Sequence, residues 1–449
     1  MSSGVGMQQW KPYHAYKDSG VEWLGQVPQG WEVKRLRFLI HINPARSEIS
    51  LQPGSPVSFV PMEAVGEYGG MLCQEKDEIE TGYSYFIDKD VLIAKITPCF
   101  ENGKGALAEG LTNGVGFGST EFHVVRSLHG LLPLFLFYFS ISYYFRKLGE
   151  AFMYGAGGQK RIPDTFIRNF FFPISSVREQ QAIASFLDHE CGRIDTLIEK
   201  KRRLLELLEE KRRAVITQAV TRGLDPSAPM KDSGVEWLGQ VPQGWEVKRL
   251  KFCVSSGFQY GANIAAELDD PTLPRYIRIT DMNDDGTLKD DTFRSLTEED
   301  AAAYLLQDND ILLARSGATV GKSFIYHASM GAAAYAGYLI KISPAKDVTP
   351  SFLYAFLNSN SYWQWVRSIF IQATIQNVSA EKYANLCITV PPLPDQQAIV
   401  DHLDAETAAI DAQRQAHEKS IALLQEYRAS LITHAVTGKI DVREYAPQQ

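Results

Sequence analysis

A segment of twenty residues occurs twice in this chain without a single change. Residues 17–36 and residues 231–250 both read KDSGVEWLGQVPQGWEVKRL, at an offset of 214 in a chain of 449 residues. Solenoid repeats have much shorter periods, of roughly 20–50 residues. The duplication therefore predicts two similar halves in tandem, a pseudo-twofold arrangement comparable to a dimer fused end to end. Such a protein suits a target that itself has two parts.

A second repeated block closes each half. Residues 178–225 and 394–441 align without gaps at an offset of 216, and their first residues read REQQAI and PDQQAI. Both blocks lack an interior proline, are rich in Leu, Glu, Lys, Arg and Ala, and end near a glycine, which predicts two long helices. The residues shared by the two copies include Gln180 and Gln396, Ile183 and Ile399, Ile194 and Ile410, and Arg212 and Arg428.

Each of the two predicted helices carries a heptad pattern. Seven-residue spacing connects Leu187, Ile194, Lys201, Leu208 and Val215 in the first helix, and Leu403, Ile410, His417, Leu424 and Leu431 in the second. The single polar member of each series stands at the matching place, so the pattern predicts a coiled-coil seam with one polar position per helix. About 40 residues at 1.5 Å each give a rod of ~60 Å. Pseudo-twofold symmetry predicts that the two helices pair with each other and run antiparallel.

The first predicted helix also contains a basic run, with KKRR at 200–203 and KRR at 211–213. Contact with DNA phosphates is one interpretation of this run. Glutamates interleave with it at helical spacing, and the second helix has far fewer basic residues. Both observations favour a solvated helix face with internal ion pairs.

The repeated opening block has the composition of turns pinned by aromatic residues, because Gly, Pro and Trp punctuate it. Its tail, WEVKRLRFLI at 31–40, predicts a short helix or strand that enters the following domain. Being identical in both halves, the block cannot distinguish two different ligands. It is predicted to pack against something common to both halves, either the helix pair or two copies of one partner protein.

The segments between the repeated blocks, residues 40–177 and 255–393, barely resemble each other. Both are rich in aromatic residues, glycine and short β-type runs, and buried strands are predicted at 91–96 and 311–314. The run DVLIAK reaches Lys95 and the run DILLAR reaches Arg315, so each of these runs ends in a basic residue. The prediction is therefore two α+β domains of one fold that have diverged in their loops.

Loops that follow strands and carry Arg, Lys, Gln or Asn suit the reading of base edges. Arg and Lys pair with guanine, and Gln and Asn pair with adenine. The alternative interpretation is that these are ordinary polar loops. The similar placement of the polar clusters in both halves favours DNA reading over this alternative. The candidate DNA-binding residues are Lys95, Lys104, Gln159, Lys160 and Arg161 in the first half, and Arg315, Lys322, Gln372, Gln376 and Asn377 in the second.

The overall composition limits how the chain could hold nucleic acid and where it could act. A formal net charge of −8 argues against a protein that simply coats nucleic acid, so any anion-binding surface must be local or shared with a partner. The five cysteines form neither a CxxC nor a Cys/His cluster, which predicts a reduced, cytoplasmic protein without a zinc site. The N-terminal residues lack the apolar core of a signal peptide. The longest apolar run, at 131–145, is shorter than a membrane span and predicts a buried helix.

Motifs of catalysis are missing from the sequence. The segment RSGATVGKS at 315–323 resembles a phosphate-binding loop but has three residues between its glycines where four are required. We find no dinucleotide-binding GxGxxG, no HExxH and no motif of an adenine methyltransferase. The chain is predicted to be a recognition scaffold without a catalytic centre.

The combination of these features resembles the specificity subunit of type I restriction–modification systems. The resemblance rests on the two QQAI helices, each carrying Ile-Asp, on AKITPCFENGKGA at 94–106, on LLARSGATVGKS at 312–323 and on GVEWLGQVPQGWEV in both halves. It covers nearly the whole chain. It implies two target recognition domains that each read one half of a bipartite DNA sequence, and two antiparallel helices whose coiled coil sets the gap between the half-sites.

The resemblance also implies partners, which would carry the chemistry. Two modification subunits would bind S-adenosylmethionine and methylate adenine, and motor-nuclease subunits that use ATP and Mg would join them for restriction. The chain itself would bind no cofactor. Two alternatives stay open: a specificity subunit that serves only a methyltransferase, and a coiled-coil adaptor whose two domains bind proteins or glycans.

The predicted domain boundaries follow the repeated blocks. They are 1–177 for the first recognition domain, 178–225 for the central helix, 226–393 for the second recognition domain, and 394–449 for the distal helix and tail.

Overall fold

The structure is a computed structural model that describes residues 10–45, 54–77, 82–156, 158–265, 267–283, 286–317, 319–371 and 377–446. It divides into two compact units. The first comprises Met1–Lys201 together with Lys419–Gln449, and the second comprises Arg202–Glu418. Both divisions fall inside long helices, so each unit contains part of both helices. The four-part division predicted from the repeated blocks stays a prediction.

The first unit contains twelve strands among its described residues, and three short helices precede the first long one. The strands are β1 (Tyr16–Asp18), β2 (Gln26–Pro28), β3 (Glu32–Arg35), β4 (Ile40–Ile42), β5 (Val57–Val60), β6 (Gln74–Lys76), β7 (Ser84–Ile87), β8 (Val91–Ala94), β9 (Gly105–Leu107), β10 (Val115–Gly118), β11 (Phe122–Ser127) and β12 (Phe171–Ile174). The helices are α1 (Pro133–Ser140), α2 (Tyr143–Phe152), α3 (Asp164–Asn169) and α4 (Val177–Arg222), of which α4 ends in the second unit.

The second unit repeats this order with fewer strands among its described residues. The strands are β13 (Met230–Asp232), β14 (Gln240–Pro242), β15 (Glu246–Arg249), β16 (Gln259–Tyr260), β17 (Arg275–Ile277), β18 (Ile311–Ala314), β19 (Ser323–Ile325), β20 (Ala333–Tyr335), β21 (Leu339–Ile342) and β22 (Cys387–Val390). The helices are α5 (Glu298–Ala301), α6 (Pro350–Phe356), α7 (Asn360–Ile371), α8 (Ala380–Ala384) and α9 (Leu393–Val436), of which α9 ends in the first unit.

The two units share one sheet of the same strand order and one parallel strand pair, which confirms the prediction of two α+β domains of one fold. An antiparallel four-stranded sheet has the order β4-β11-β8-β9 in the first unit and β16-β21-β18-β19 in the second. Each unit also has a parallel strand pair, β5 with β10 and β17 with β20. In the first unit β6 and β7 extend this pair to a four-stranded sheet, whereas in the second unit the described strands of this sheet are β17 and β20 alone. All four residues of β8 and of β18 are buried, as their uninterrupted apolar sequences predict.

The identical opening blocks fold identically. In both units the block forms a hairpin, β1 with β2 and β13 with β14, and its tail is a strand. That strand pairs with the one that immediately precedes the long helix, β3 with β12 and β15 with β22. The strand of the block therefore joins the beginning of each variable domain to its end.

The apolar run at 131–145 forms two helices, whereas one helix was predicted. The prediction that it is buried is confirmed, because Phe135–Ser140 all lie in the interior. The hydroxyls of Ser140 and Ser142 donate to the carbonyls of Phe137 and Phe139, at 2.7 and 2.6 Å. These bonds satisfy carbonyls at the end of α1 and allow the chain to turn. No helix in the described ranges is both long and apolar enough to cross a membrane.

The long helices pair in both units through residues that the closing blocks share. In the second unit Arg212 forms an ion pair with Asp411, and Arg414 lies 4.0 Å from Glu209. The two contacts run in opposite directions along the helices, so α4 and α9 are antiparallel there. In the first unit Arg428, aligned with Arg212, pairs with Asp195, aligned with Asp411, at 3.0 Å.

All ten predicted seam positions are at least half-buried. Those that are fully buried are Leu187, Ile194, Leu403, Ile410 and Leu431, and those that are half-buried are Lys201, Leu208, Val215, His417 and Leu424. The half-buried set contains both polar members, which keeps their charged or polar ends close to water. A heptad seam of this kind stays our proposal for how the helix segments pack.

A glycine follows each long helix and packs on the tryptophan of an opening block. The Cα of Gly223 (φ +78°) lies next to the Trp245 ring, and the Cα of Gly438 (φ +69°) lies next to the Pro28 and Trp31 rings. A Cβ on Gly438 would lie 2.5 Å from the Pro28 ring, so a side chain there is excluded as well as strained. The glycine after α9 thus packs on the opening block of the first unit, as the glycine after α4 packs on the opening block of the second.

Candidate nucleic-acid interface

The basic residues at the ends of β8 and β18 occupy equivalent places in the two units. The N–H of Lys95 donates to Glu121 O at 2.9 Å, and its carbonyl accepts from the Ile162 N–H at 2.9 Å. In the second unit the N–H of Arg315 donates to Tyr338 O at 3.0 Å, and its carbonyl accepts from Val378 N–H at 2.8 Å. At each strand end, two other segments of the chain therefore hydrogen-bond to the backbone of the basic residue. The loops of these segments differ in sequence between the two units.

The loop at 158–160 presents two of the predicted residues to solvent. The side chains of Gln159 and Lys160 are exposed. The loop is held by Thr97, whose hydroxyl donates to Gly158 O at 2.6 Å and accepts from the Lys160 N–H at 3.0 Å. Lys160 therefore offers a charged donor on a backbone that is already positioned, which suits contact with a phosphate or a base edge.

Arg161 is bound within the protein instead of standing free. Its guanidinium donates twice to the Glu121 carboxylate and forms an ion pair at 2.8 Å. These hydrogen bonds lower the pKa of the Glu121 carboxyl. The sequence analysis missed this acidic partner, because Glu121 lies 40 residues away in a turn without a distinctive pattern. Arg161 is better placed to support the loop than to read a base.

Lys104 is also engaged within its own domain. It is half-buried, and its ammonium lies 3.5 Å from the carbonyl oxygen of Met62. A phosphate contact would have to compete with this backbone acceptor.

Arg315 of the second unit stacks on an aromatic side chain that the sequence analysis did not single out. Its guanidinium carbon lies 4.7 Å from the centroid of the Tyr260 ring, a cation–π arrangement. The Tyr260 hydroxyl accepts from the Ala380 N–H at 3.2 Å. The Arg315 Nε and the Asn377 Oδ1 are buried and have no partner among the described residues. Buried polar atoms are normally paired, so these two are candidates for satisfaction by a ligand.

Exposed tyrosines flank both strand ends. Tyr154 is 67% exposed in the first unit, and Tyr338, whose carbonyl receives the Arg315 N–H, is 64% exposed in the second. Aromatic faces stack on bases that leave the helix stack and fit the amphipathic edge of a groove. The sequence analysis did not single out Tyr338. Its position directly after a glycine, in AGY at 336–338, could have indicated an aromatic residue in a turn.

The phosphate-loop-like segment at 315–323 is a connection between two strands. Strand β18 ends at Ala314, and β19 begins at Ser323, where a phosphate-binding loop would lead into a helix. The half-buried Lys322 lies in this connection, with its carbonyl accepting from the Ala314 N–H at 2.8 Å. The predictions at Gln372 and Gln376 lie outside the described residues.

The basic run of α4 carries the ion pairs expected of a solvated helix face. Arg203 contacts Glu206 at 2.6 Å, and Arg213 contacts Glu209 at 3.1 Å. Among the described residues no cluster of three His, Cys, Asp or Glu side chains could hold a metal ion.

Comparison with protein families gives one family match. Residues 242–419 match the type I restriction modification DNA specificity domain. This range covers much of the second unit, including β18, Arg315 and the first half of α9.

Curated relatives match parts of the chain or nearly all of it. The specificity subunit of the type I restriction enzyme EcoEI from Escherichia coli is 39% identical over 163 residues, which are 35% of this chain and 27% of that protein. The specificity subunit of the type I restriction enzyme MjaVIII from Methanocaldococcus jannaschii is 22% identical over 448 residues, 93% of this chain and 95% of that one. The chain thus spans about a quarter of the length of the E. coli relative it matches.

A solved structure shares the fold. A chain from a structural study of complex assembly and conformational transition of the type I R-M system has a TM-score of 0.69 and 17% sequence identity. The match covers 91% of this chain and 98% of that one, so the fold similarity extends over most of the chain.

Proposed function

We propose that the chain is a specificity subunit of a type I restriction–modification system and selects the DNA sequence on which such a system acts, as its similarity to such subunits supports. Each of its two variable domains reads one half of a bipartite target, and the paired helices set the unspecified spacer between the halves. The chain acts in the cytoplasm and contributes recognition without catalysis.

One observation carries the proposal: a constant frame presents different side chains at the same place in two units. Lys95 and Arg315 end equivalent strands with equivalent backbone hydrogen bonds. Around Lys95 lie Lys160 and an Arg161–Glu121 pair, whereas around Arg315 lie Tyr260 and Asn377. Different side chains at this shared edge fit two domains that read different half-sites by different hydrogen-bond donors.

The partners we propose are two modification subunits that carry S-adenosylmethionine, and motor-nuclease subunits that use ATP and Mg when the system restricts DNA. The family relationship supports this assignment, because the chain is similar to subunits named for specificity and not for catalysis. The identical opening blocks give each half the same hairpin, which is the simplest surface for two copies of one partner.

The isolated chain is expected to bind DNA weakly. Non-specific grip on DNA grows with the number of cations that neutralise phosphates, and this chain has a net charge of −8, with Arg161 and Lys104 engaged internally. Adding modification subunits should tighten the affinity at least tenfold. Titration of a labelled duplex at one fixed salt concentration measures both forms, and equal affinities would contradict this division of roles.

Single substitutions at the two strand ends are expected to change one half-site each. Lys160→Ala should relax the first half-site and Arg315→Ala the second, by about 5- to 150-fold in preference, because a base contact contributes about 1–3 kcal/mol of discrimination. Sequencing of methylated adenines in cells that co-express the modification subunit reads both half-sites at once.

The outcome separates base reading from other roles. A phosphate contact would lower methylation uniformly, without changing the sequence preference. If Lys160→Ala altered both half-sites, the assignment of one domain to one half-site would be wrong. Sites without a two-part sequence in the unsubstituted protein would overturn the proposed function itself.

A further inference from the structure

The second unit has a pocket of about 560 Å³ beside the strand end at Arg315. Tyr338 lines this pocket, and the Tyr338 carbonyl accepts the Arg315 N–H at 3.0 Å, so the pocket adjoins the candidate nucleic-acid interface. Most of the remaining wall comes from residues 262–265, from the turn after β17 at 278–280, and from residues 336–337. None of these side chains was a candidate in the sequence analysis.

The wall of this pocket is close to neutral. Arg278 is the one charged side chain among the described residues that line it. Its guanidinium donates to the Asp281 carboxylate at 2.8 and 3.1 Å and to Thr292 O at 2.6 Å, and Asp281 is buried. Contacts with phosphates gain most from cations, whereas base edges are also read by neutral amides and apolar groups. A neutral pocket at the proposed interface therefore suits a base edge better than a phosphate.

The backbone on both sides of Asn263 is held in place. The Ala262 carbonyl accepts from the Gly337 N–H at 2.7 Å and from the Tyr276 hydroxyl at 2.7 Å. The same hydroxyl lies 3.2 Å from Ile264 O, and the Tyr276 ring is buried. Asn263 thus projects from a fixed segment of backbone, which lowers the entropy lost when its side chain binds a ligand.

The Asn263 carboxamide lies on Gly337. A Cβ added to Gly337 would lie 2.0 Å from the Asn263 Oδ1, so glycine leaves the room that the amide occupies. The Asn263 side chain is exposed, and its carboxamide has no hydrogen-bond partner within the described part of the chain. Its donor and its acceptor are therefore both available to a ligand.

We propose that Asn263 reads an adenine·thymine base pair in the major groove of the second half-site. There adenine presents its N7 acceptor and N6 donor, which one asparagine amide can bind together, and the paired thymine presents a methyl group. Ile264 and Ile279 line the pocket and form the apolar surface that suits this methyl group. The inference rests on the proposed function, since it assigns one position of the DNA target to one side chain.

Asn263→Asp is expected to change the preference at one position of the second half-site from adenine to cytosine, by about 5- to 150-fold. The substitution keeps the shape of the side chain and replaces the amide donor with a second acceptor, which suits the cytosine N4 amino group. Mapping of methylated adenines in cells that co-express the modification subunit measures the change. The methylated adenine itself must persist, so the change should appear at another position.

Asn360→Asp is the matched control. Asn360 is exposed at the start of α7, where its N–H donates to the Thr217 hydroxyl of α4 at 2.8 Å. The same chemical change at this place should leave both half-sites as they are in the unsubstituted protein.

Gly337→Ala tests the position of the amide without removing it. The backbone at Gly337 is not left-handed, so alanine is compatible with it, but its Cβ would displace the Asn263 carboxamide. The preference for adenine should be relaxed at the same position that Asn263→Asp changes. Thermal unfolding of both variants shows whether they are folded.

Modified duplexes test the contact itself in the complex with modification subunits. Adenine replaced by 7-deazaadenine at the assigned position lacks the N7 acceptor, so the unsubstituted protein should bind at least fivefold more weakly. The same replacement should not affect binding by Asn263→Ala. Uracil in place of the paired thymine removes the methyl group and should weaken binding about fourfold, which corresponds to ~0.8 kcal/mol for one buried carbon group.

The outcomes distinguish this inference from the proposed function. An unchanged two-part site in Asn263→Asp, or the same loss on 7-deazaadenine with and without Asn263, would overturn the assignment and leave target selection by this chain intact. Uniformly lower methylation without a changed preference would indicate a phosphate contact and would overturn it too. Unchanged binding to the uracil duplex would contradict the placement of thymine in the pocket. If the unsubstituted protein directed methylation to no two-part site, the proposed function itself would be wrong.

Discussion

Replacing Gln180 by leucine is expected to destabilise the first unit by about 2–5 kcal/mol. The Gln180 side chain is fully buried at the start of α4. Its amide donates to Gly130 O and Ser175 O at 2.8 and 2.9 Å, and its oxygen accepts from the Leu132 N–H at 2.8 Å. Leucine would leave these three backbone groups without that partner. The bond to Ser175 O is buried, and the other two are partly buried. A buried unpaired group costs about 1–3 kcal/mol, and partly exposed groups cost less because water can reach them.

The second unit contains the same arrangement. Gln396 donates to Asp347 O and Pro391 O at 3.0 and 2.8 Å and accepts from the Thr349 N–H at 2.7 Å. Gln396→Leu should therefore destabilise the second unit by a similar amount. The QQ pair in each helix supplies its own control, because Gln181 and Gln397 are exposed and bond only a side chain one turn away.

Denaturant unfolding of the four leucine variants checks this prediction. The midpoints of Gln180→Leu and Gln396→Leu should fall clearly below those of Gln181→Leu and Gln397→Leu. If the buried and exposed substitutions cost the same, the buried amide does not tie the helix to its domain. The result would also show whether the two units unfold in separate steps, since each buried variant affects one unit.

Lengthening both long helices by one heptad is expected to lengthen the spacer of the DNA target while both half-sites stay the same. The insertions belong at the unit boundaries, between Lys201 and Arg202 and between Glu418 and Lys419. Seven residues add about 10.5 Å of helix and keep the seam in phase. This length corresponds to at most about 3 base pairs of DNA.

Mapping of methylated adenines in cells that contain the lengthened protein measures the effect. The original site should no longer be methylated, and a site with the same halves and a longer gap should replace it. A four-residue insertion in only one helix is the control, because it breaks the heptad phase and should abolish methylation. Altered half-sites would refute the separation of spacer from sequence reading.

Most of the fold could be predicted from the segments that occur twice in the sequence. Two copies of an unbroken strand sequence, DVLIAK and DILLAR, indicated one fold twice, and the structure places both at the same sheet position. The shared Arg212 and Arg428 were visible as repeated letters, but their partners were not. Only the antiparallel pairing in space brings Arg428 to Asp195, which is 233 residues away.

The candidate site was harder to predict, because its contacts depend on loops that meet from distant parts of the chain. Arg161 had the sequence signature of a DNA-reading residue, yet Glu121 from another loop binds its guanidinium. Tyr260 lies in an unremarkable Gly-rich segment and acquires meaning only where Arg315 stacks on it. Residue type and spacing identified the edge of the sheet but not which side chains there remain available.

The first unit is built from both ends of the chain, and this affects the order in which the two units can fold. The second unit is one continuous segment, whereas the first needs the last turns of α9, whose Tyr427 hydroxyl accepts from the Trp10 indole across 417 residues. Ribosomes synthesise a chain from its N-terminus, at about 5–20 residues per second, and domains generally fold as units. The half that is made first must therefore wait about 10–45 s, with its apolar seam uncovered, until synthesis passes Glu418, while the half made later can fold ahead of it.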